Sequence, residues 1–281
     1  MNRQPPLGFS FLYFGARTTA AHTPWFERLA HHGYQGAELP LASASDAELR
    51  SLRTALQQAG LRATGVGFAT PDANPIDADP AVRERAVQHL VVLAERAALL
   101  GAEVLAGPLH SAYGVFPGHG PTADEQARCV EVLQRAAARI APLGVTLAIE
   151  PLNRFECYFL NTAAQCHELV RRVGHPRVVG ALDTHHAHLE EDDAIAAIVA
   201  SQGTLGHVQL SENHRGTPGR GQVDFPATLQ ALDRIGYQGW LVVECFSRRD
   251  PEFGNDLRIW RELDGGAEEV LAAGAALLRH G

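Results

Sequence analysis

VTLAIEPLNRFE, residues 145–156, reads as a buried strand that runs straight into a carboxylate. Val145, Leu147, Ala148 and Ile149 form a short apolar run behind Gly144, and the run stops at Glu150, where Pro151 forbids an immediate helix. A polar turn with a second carboxylate, Glu156, follows. The same grammar recurs downstream: VVGAL ends in Asp183, LGHV in Gln209 and GWLVV in Glu244. Three acids and an amide, each closing a buried strand, need one explanation. In a closed parallel barrel those strand ends meet at one mouth, where catalytic groups gather.

The rest of the chain supplies the other strands. Residues 7–13 (LGFSFLY) read as the first, 36–39 as the second, 61–66 as the third and 103–107 as the fourth. Between them lie helical patterns with start signals: Thr23-Pro24, Ser45 with Glu48, and Thr122 with Glu125. Thr162 caps a helix after the fifth strand, a helix over about 190–200 precedes the seventh, and another starts near Pro226. A final helix runs to about Arg279. Eight strand–helix units with no linker predict one α/β domain over residues 1–281, a single (β/α)8 TIM barrel. A doubly wound nucleotide-binding sheet is disfavoured, because FGARTTA after the first strand is not GxGxxG.

Composition agrees with a soluble enzyme: 281 residues, 46% hydrophobic and 20% charged. A net charge of −8 argues against a nucleic-acid partner, and no apolar stretch is long enough for a membrane span. The N-terminus lacks a signal-peptide core, and Cys129, Cys157, Cys166 and Cys245 lack disulfide or CxxC spacing, so a cytoplasmic location is expected.

Carboxylates crowded at one mouth repel unless they are protonated or bridged by a cation. Glu150, Asp183, Gln209 and Glu244 offer only oxygen ligands, a set that suits a hard divalent ion, Mn²⁺ or Mg²⁺, better than Zn²⁺. A lone strand-end acid is ordinarily a cap or an ion pair; four matching positions in a row are not. DTHHAHLEE sets His185, His186 and His188 beside Asp183, and alternation admits one of them to the site. Arg215 lies in a glycine-rich loop, where the plain expectation is a solvated charge. Arg154 either joins the site or clamps its turn, and His110 and Tyr113 either line a pocket or fill a loop. His207 receives no role.

EPLNRFE (150–156), DTHHAHLEE (183–191), HVQLSENHRGTPGRG (207–221), VVE (242–244) and IWRELDGGAEE (259–269) together resemble the ketose 3-epimerases of the xylose-isomerase-like barrels. That resemblance implies a metal-dependent epimerase whose ion, Mn²⁺ foremost with Mg²⁺ or Co²⁺ as alternatives, sits on Glu150, Asp183, Gln209 and Glu244. It implies that Glu150 and Glu244 are the acid–base pair, and that His186, chosen among the three histidines, joins Glu156 and Arg215 in holding a sugar. His110 is a further substrate-binding candidate. It also implies a homo-oligomer, a dimer or tetramer. Two departures stand out: the family has His where this chain has Gln209, and Phe where it has His185. A neutral amide is a weaker ligand than imidazole, so looser or harder-ion binding is expected. GPLHSAYG, residues 107–114, differs in the loop expected near the far end of the sugar.

The implied chemistry is inversion of the carbon beside a ketose carbonyl through an enediolate, one glutamate taking the proton and the other returning it from the opposite face. Aldose–ketose or keto-inositol isomerisation, or a lyase or decarboxylase acting on an oxo-sugar acid, would use the same site. A DNA-cleaving zinc enzyme on this barrel would need more histidine ligands and a basic face. A sugar-binding module would not need two opposed glutamates.

Overall fold

The computed structural model describes residues 4–278. Its strands are β1 (Leu7–Ser10), β2 (Gly36–Pro40), β3 (Arg62–Val66) and β4 (Ala102–Gly107). They continue as β5 (Thr146–Ile149), β6 (Val178–Asp183), β7 (Leu205–Leu210) and β8 (Trp240–Val243). Each pairs in parallel with the next and β8 pairs with β1, closing the barrel. The helices are α1 (Pro24–His32), α2 (Asp46–Gln58), α3 (Pro80–Leu100), α4 (Ala123–Ile140) and α5 (Ala163–Val173). Five more follow: α6 (Thr184–Glu190), α7 (Ala194–Ala200), α8 (Phe225–Arg234), α9 (Pro251–Asp256) and α10 (Ala267–Leu277). The expected helix end at Arg279 lies outside the described residues.

Period-two alternation sorts the strand residues into two cores. Outward residues such as Phe9, Leu39, Leu147, Val208 and Val243 are buried in the main core. Inward, Ala106, Ala148 and Ala181 form a separate small cluster with Val104 and Val179. Trp240 closes the floor of the barrel: its indole Nε1 donates to Glu103 at 3.1 Å, and the Arg62 guanidinium lies 4.4 Å above the ring. Gly36 has no side chain because that indole occupies the space a Cβ would need.

The capping boxes at Ser45–Glu48 and Thr122–Glu125 form as expected, and Thr162 caps α5 as expected, completing a box with Gln165. Three readings need correction. The first strand ends at Ser10, not at residue 13, because sheet partners run out there. Phe11–Tyr13 turn into a 3-10 helix, and Phe11 packs 5.1 Å from Phe26. Residues after Asp183, where the sequence pattern predicts no helix, form α6, its start capped where Asp183 Oδ1 accepts the His185 N–H at 2.6 Å. The following helix begins only at Ala194, where Asp193 accepts from Ile195 and Ala196. Among the described residues no helix is long and apolar enough to cross a membrane.

Candidate active site

The inward alternation that buries Ala148 carries Glu150 to the mouth. Its backbone N–H still pairs with the Gly107 carbonyl at 3.0 Å, one residue past the end of β5. Glu244 repeats this beyond β8, its N–H on the Leu210 carbonyl at 3.1 Å. Asp183 and Gln209 are register partners on β6 and β7. All four side chains are buried, and contacts among them and with Arg215 and His186 tie them into one site. The strand-end reading of the sequence thus places these four groups together.

Arg215 is not a solvated loop charge: it is 6% exposed. Its Nη1 donates to Asp183 Oδ2 at 2.7 Å and makes a very short ion pair with Glu244. Its side chain lies over the Phe246 ring at 4.6 Å. The backbone adopts a left-handed φ of 62°, uncommon for a residue with a Cβ and worth about 1 kcal/mol of strain. Ser211 Oγ donates to Asp183 Oδ2 at 3.0 Å and so helps fix that carboxylate.

His186 is the histidine of the three that enters the site; His188 is exposed on α6, and His185 bonds the Asn213 carbonyl oxygen through Nδ1 at 3.0 Å. The His186 Nδ1 accepts from the Asn153 N–H at 3.0 Å, which leaves the ring proton of a neutral imidazole on Nε2. That nitrogen lies 3.5 Å from Glu150 and 3.0 Å from Arg215 Nη2. Donor therefore faces donor between His186 and Arg215, and a ligand oxygen placed between them would accept from both. Glu156 lies beside them, held by Asn153 Nδ2 at 2.8 Å. Arg154 is the clamp of its turn, bonded to Glu190 at 3.0 Å.

His110 is corrected from a substrate contact to a support. It is fully buried behind Glu150, with Nε2 3.0 Å from the Glu150 carbonyl oxygen, Nδ1 on Ser111 and its ring stacked on Phe159. Burial pushes its pKa down to about 4, so it is a neutral prop at physiological pH.

The acids diverge in proton affinity. Burial raises Glu150 above the ordinary carboxylate value, with His186 opposing. Burial likewise lifts Glu244 well above it, against the pull of Arg215. At Asp183 burial pushes upward too, but Arg215, His186 and His185 together outweigh it and hold the carboxyl low. Two proton-accepting acids around one that stays ionised is a pattern that marks acid–base sites.

The site has a consequence for stability. A folded pKa above the unfolded one means that Glu150 favours folding fully below its unfolded value of about 4.3, and that this contribution is lost as pH rises through the folded value. Glu150→Gln keeps the shape and removes the buried charge. The metal-free variant is expected to melt higher at pH 8, by about 2–4 °C for each kcal/mol regained, and equally at pH 4. Calorimetry at the two pH values checks this; a lower Tm at pH 8 would show that the Glu150 charge stabilises the fold.

A cavity of about 440 Å³ opens over these groups. Its charged lining, including Glu150, Glu156, His186, Arg215, Glu244 and Arg258, comes from residue 150 onward. The ends of the first four strands and the loops after them give it only uncharged residues, among them Leu12, Pro40, Val66, Phe68 and Tyr113.

The residues fit a divalent cation. Ligand atoms of Glu150, Asp183 and His186 lie within 4.8 Å of one another, and of these the two carboxylates are free to ligate, since the His186 nitrogen that faces them carries the ring proton. Gln209 Oε1 is buried and lacks a hydrogen-bond partner among the described residues, an oxygen that a hard ion would satisfy.

Sequence reasoning missed Glu38, which is fully buried on β2 and reaches Gln209 across the barrel. One acid inside the apolar run GAELP was the available signal. It also missed Glu212, fully buried, whose Oε1 accepts the Gly219 N–H at 2.8 Å and shapes the Arg215 loop.

A closed barrel whose mouth gathers acids of opposed proton affinity, a histidine and an arginine is built as an enzyme. The chain belongs to the xylose isomerase-like TIM barrel family, which it matches over residues 26–278. It is 30% identical over 270 residues to the D-psicose 3-epimerase of Ruminiclostridium cellulolyticum, covering 94% of this chain and 92% of that one. It is 34% identical over 237 residues to the L-ribulose 3-epimerase of Mesorhizobium japonicum, covering 82% and 78%. Among solved structures, the D-psicose 3-epimerase of Clostridium cellulolyticum with D-tagatose superposes with a TM-score of 0.88 at 29% identity, covering 98% of this chain and 97% of that one. With such relatives over most of its length, the protein is an enzyme of the sugar isomerase and epimerase type.

Proposed function

We propose that the protein is a divalent-metal-dependent 3-epimerase of a ketose. The observation that carries this reading is the pair of buried, raised glutamates, Glu150 and Glu244, on separate strands beside one cavity. Glu150, Asp183, Gln209 and Glu244 would hold the ion, which when bound supplies Lewis-acid polarisation of the sugar carbonyl. One glutamate takes the C3 proton and leaves an enediolate; the other returns a proton to the opposite face, inverting the carbon. Arg215 and His186 donate to the sugar oxygens between them, and Glu156 accepts from a hydroxyl. The apolar wall over the mouth excludes water while the proton is in transit.

The test is incubation with a panel of free ketoses in D₂O, with and without added Mn²⁺. The expected result is stereoinversion at C3 with one deuterium at that carbon, abolished by chelation and restored by Mn²⁺, Mg²⁺ or Co²⁺. An aldose product carrying deuterium at C2, or recovered ketose carrying it at C1, would replace epimerisation by isomerisation. Full turnover in protein shown to be metal-free by elemental analysis would remove the ion from the reading.

A further inference from the structure

Below the mouth, the lumen holds a polar lane that leads up to Gln209. His207 and Gln209 stand two residues apart on β7, so both point inward, and Glu38 and Thr64 are register partners on β2 and β3 across the barrel. Glu38 is fully buried. Its Oε2 accepts from Thr64 Oγ1 at 3.2 Å and lies 2.9 Å from His207 Nε2. Its Oε1 accepts from Gln209 Nε2 at 3.2 Å, and the same amide nitrogen donates to Glu244 Oε1 at 3.0 Å.

An amide is nearly symmetric in shape, and only its partners decide which end is nitrogen. Here both amide hydrogens are taken by carboxyl oxygens, one from below and one from the side. Turning the amide over would set oxygen against oxygen at both contacts. The remaining atom, Gln209 Oε1, is the buried one without a partner. Glu244 alone would orient the amide only as long as its own carboxyl stayed in place, whereas Glu38 is held by the Thr64 hydroxyl away from the chemistry, with the His207 ring near it but not hydrogen-bonded to it.

We propose that Glu38 is a positioning residue: through Gln209 it fixes the amide with nitrogen inward and oxygen toward the cation site. This rests on the metal-dependent reading above. It is the same logic by which a carboxylate behind a metal-bound imidazole sets which ring nitrogen ligates. It also explains how an amide serves at this position: one side chain supplies an oxygen outward and two N–H groups to the acids around it.

The experiment is a double-mutant cycle read as Mn²⁺ affinity, by calorimetry on purified metal-free protein. Glu38→Leu is expected to weaken Mn²⁺ by about 10- to 100-fold. Glu38→Gln, which keeps one acceptor oxygen for Gln209, should lose only a few-fold. In a Gln209→Ala background neither change should weaken Mn²⁺ further, because the path from Glu38 to the ion is already cut. Equal losses in both backgrounds, or no loss in either, would overturn the proposal. If circular dichroism shows Glu38→Leu unfolded, the Glu38→Gln arm of the cycle decides by the same comparison. A second readout needs no metal: the Gln209 side-chain amide resonances, assigned by their loss in Gln209→Ala, should be protected from exchange in the parent, keep most of that protection in Glu38→Gln and lose it in Glu38→Leu. Unprotected resonances in the parent would also overturn it. Failure of the parent to bind Mn²⁺ would count against the functional reading, and the amide resonances would then judge Glu38 alone.

Discussion

Glu244→Gln is expected to lower turnover by about 10³-fold, within the range that a positioned acid–base group supplies, while the protein stays folded. The substitution removes the proton acceptor and keeps its shape and one oxygen. Arg215 pairs with Oε2 and Gln209 donates to Oε1, so the single amide oxygen keeps one of these two contacts and the amide nitrogen faces the other donor. Because burial raises Glu244 in the parent, the amide also relieves a buried charge at neutral pH, so the melting temperature should hold. The decisive measurement is exchange of the substrate C3 proton with D₂O. With Glu150 intact, proton removal from one face can survive while inversion is lost. A Glu244→Gln enzyme that inverts C3 at the parent rate would sink the two-glutamate scheme.

Arg215→Ala is expected to cost the metal-free protein on the order of 3–5 kcal/mol, because it strips a buried cation from between two carboxylates. For a chain of this size that is a fall in Tm of roughly 10 °C. The loss should shrink when Mn²⁺ is present, since a bound cation restores positive charge beside Asp183 and Glu244. Acid titration gives an independent reading. Asp183 is depressed in the folded state, against the upward push of burial, chiefly by Arg215, so its contribution to stability is full above about pH 4 and is lost as pH falls through its folded value. In Arg215→Ala that acid-side loss should flatten. Unfolding curves for both proteins from pH 7 down to about pH 1 test it; parallel curves, or an unchanged Tm at pH 7, would return Arg215 to the solvated-loop role.

The strand ends were legible because alternation and Pro151 act locally. Once Ala148 faces inward, Glu150 must too, and the same count places Asp183, Gln209 and Glu244. Fold class followed from the repetition of that pattern. What local pattern cannot show is which side of a wall a loop residue stands on. Arg215 sits among glycines and polar residues that read as solvent-exposed, yet the loop folds inward because Glu212 is buried and takes the Gly219 N–H. His110 follows a strand as a pocket residue would, but its ring turns behind Glu150 to bond the main chain. Helices α6 and α9 are too short for periodicity to reveal; the cap of α6, Asp183, reads as a strand-end acid, and that of α9, Asp250, as an ordinary loop acid. Glu38 escaped because an acid in the middle of a short strand gains meaning only from what stands across the lumen.

The lining of the cavity divides the chain lengthwise. Groups that move protons or hold charge in this lining come from residue 150 onward, while strand ends and loops before residue 114 offer only uncharged surface to whatever enters. A barrel arranged in this way can be recombined between α4 and β5. A relative's first four βα units would bring a new fit for the sugar and leave the reacting half as it was. Such exchange lets substrate range drift without rebuilding chemistry, a freedom that a site with its acids scattered around all eight strands would not have. Glu38 is the thread across that seam: a donor half without an acid at that place would import a new pocket and lose the grip on Gln209.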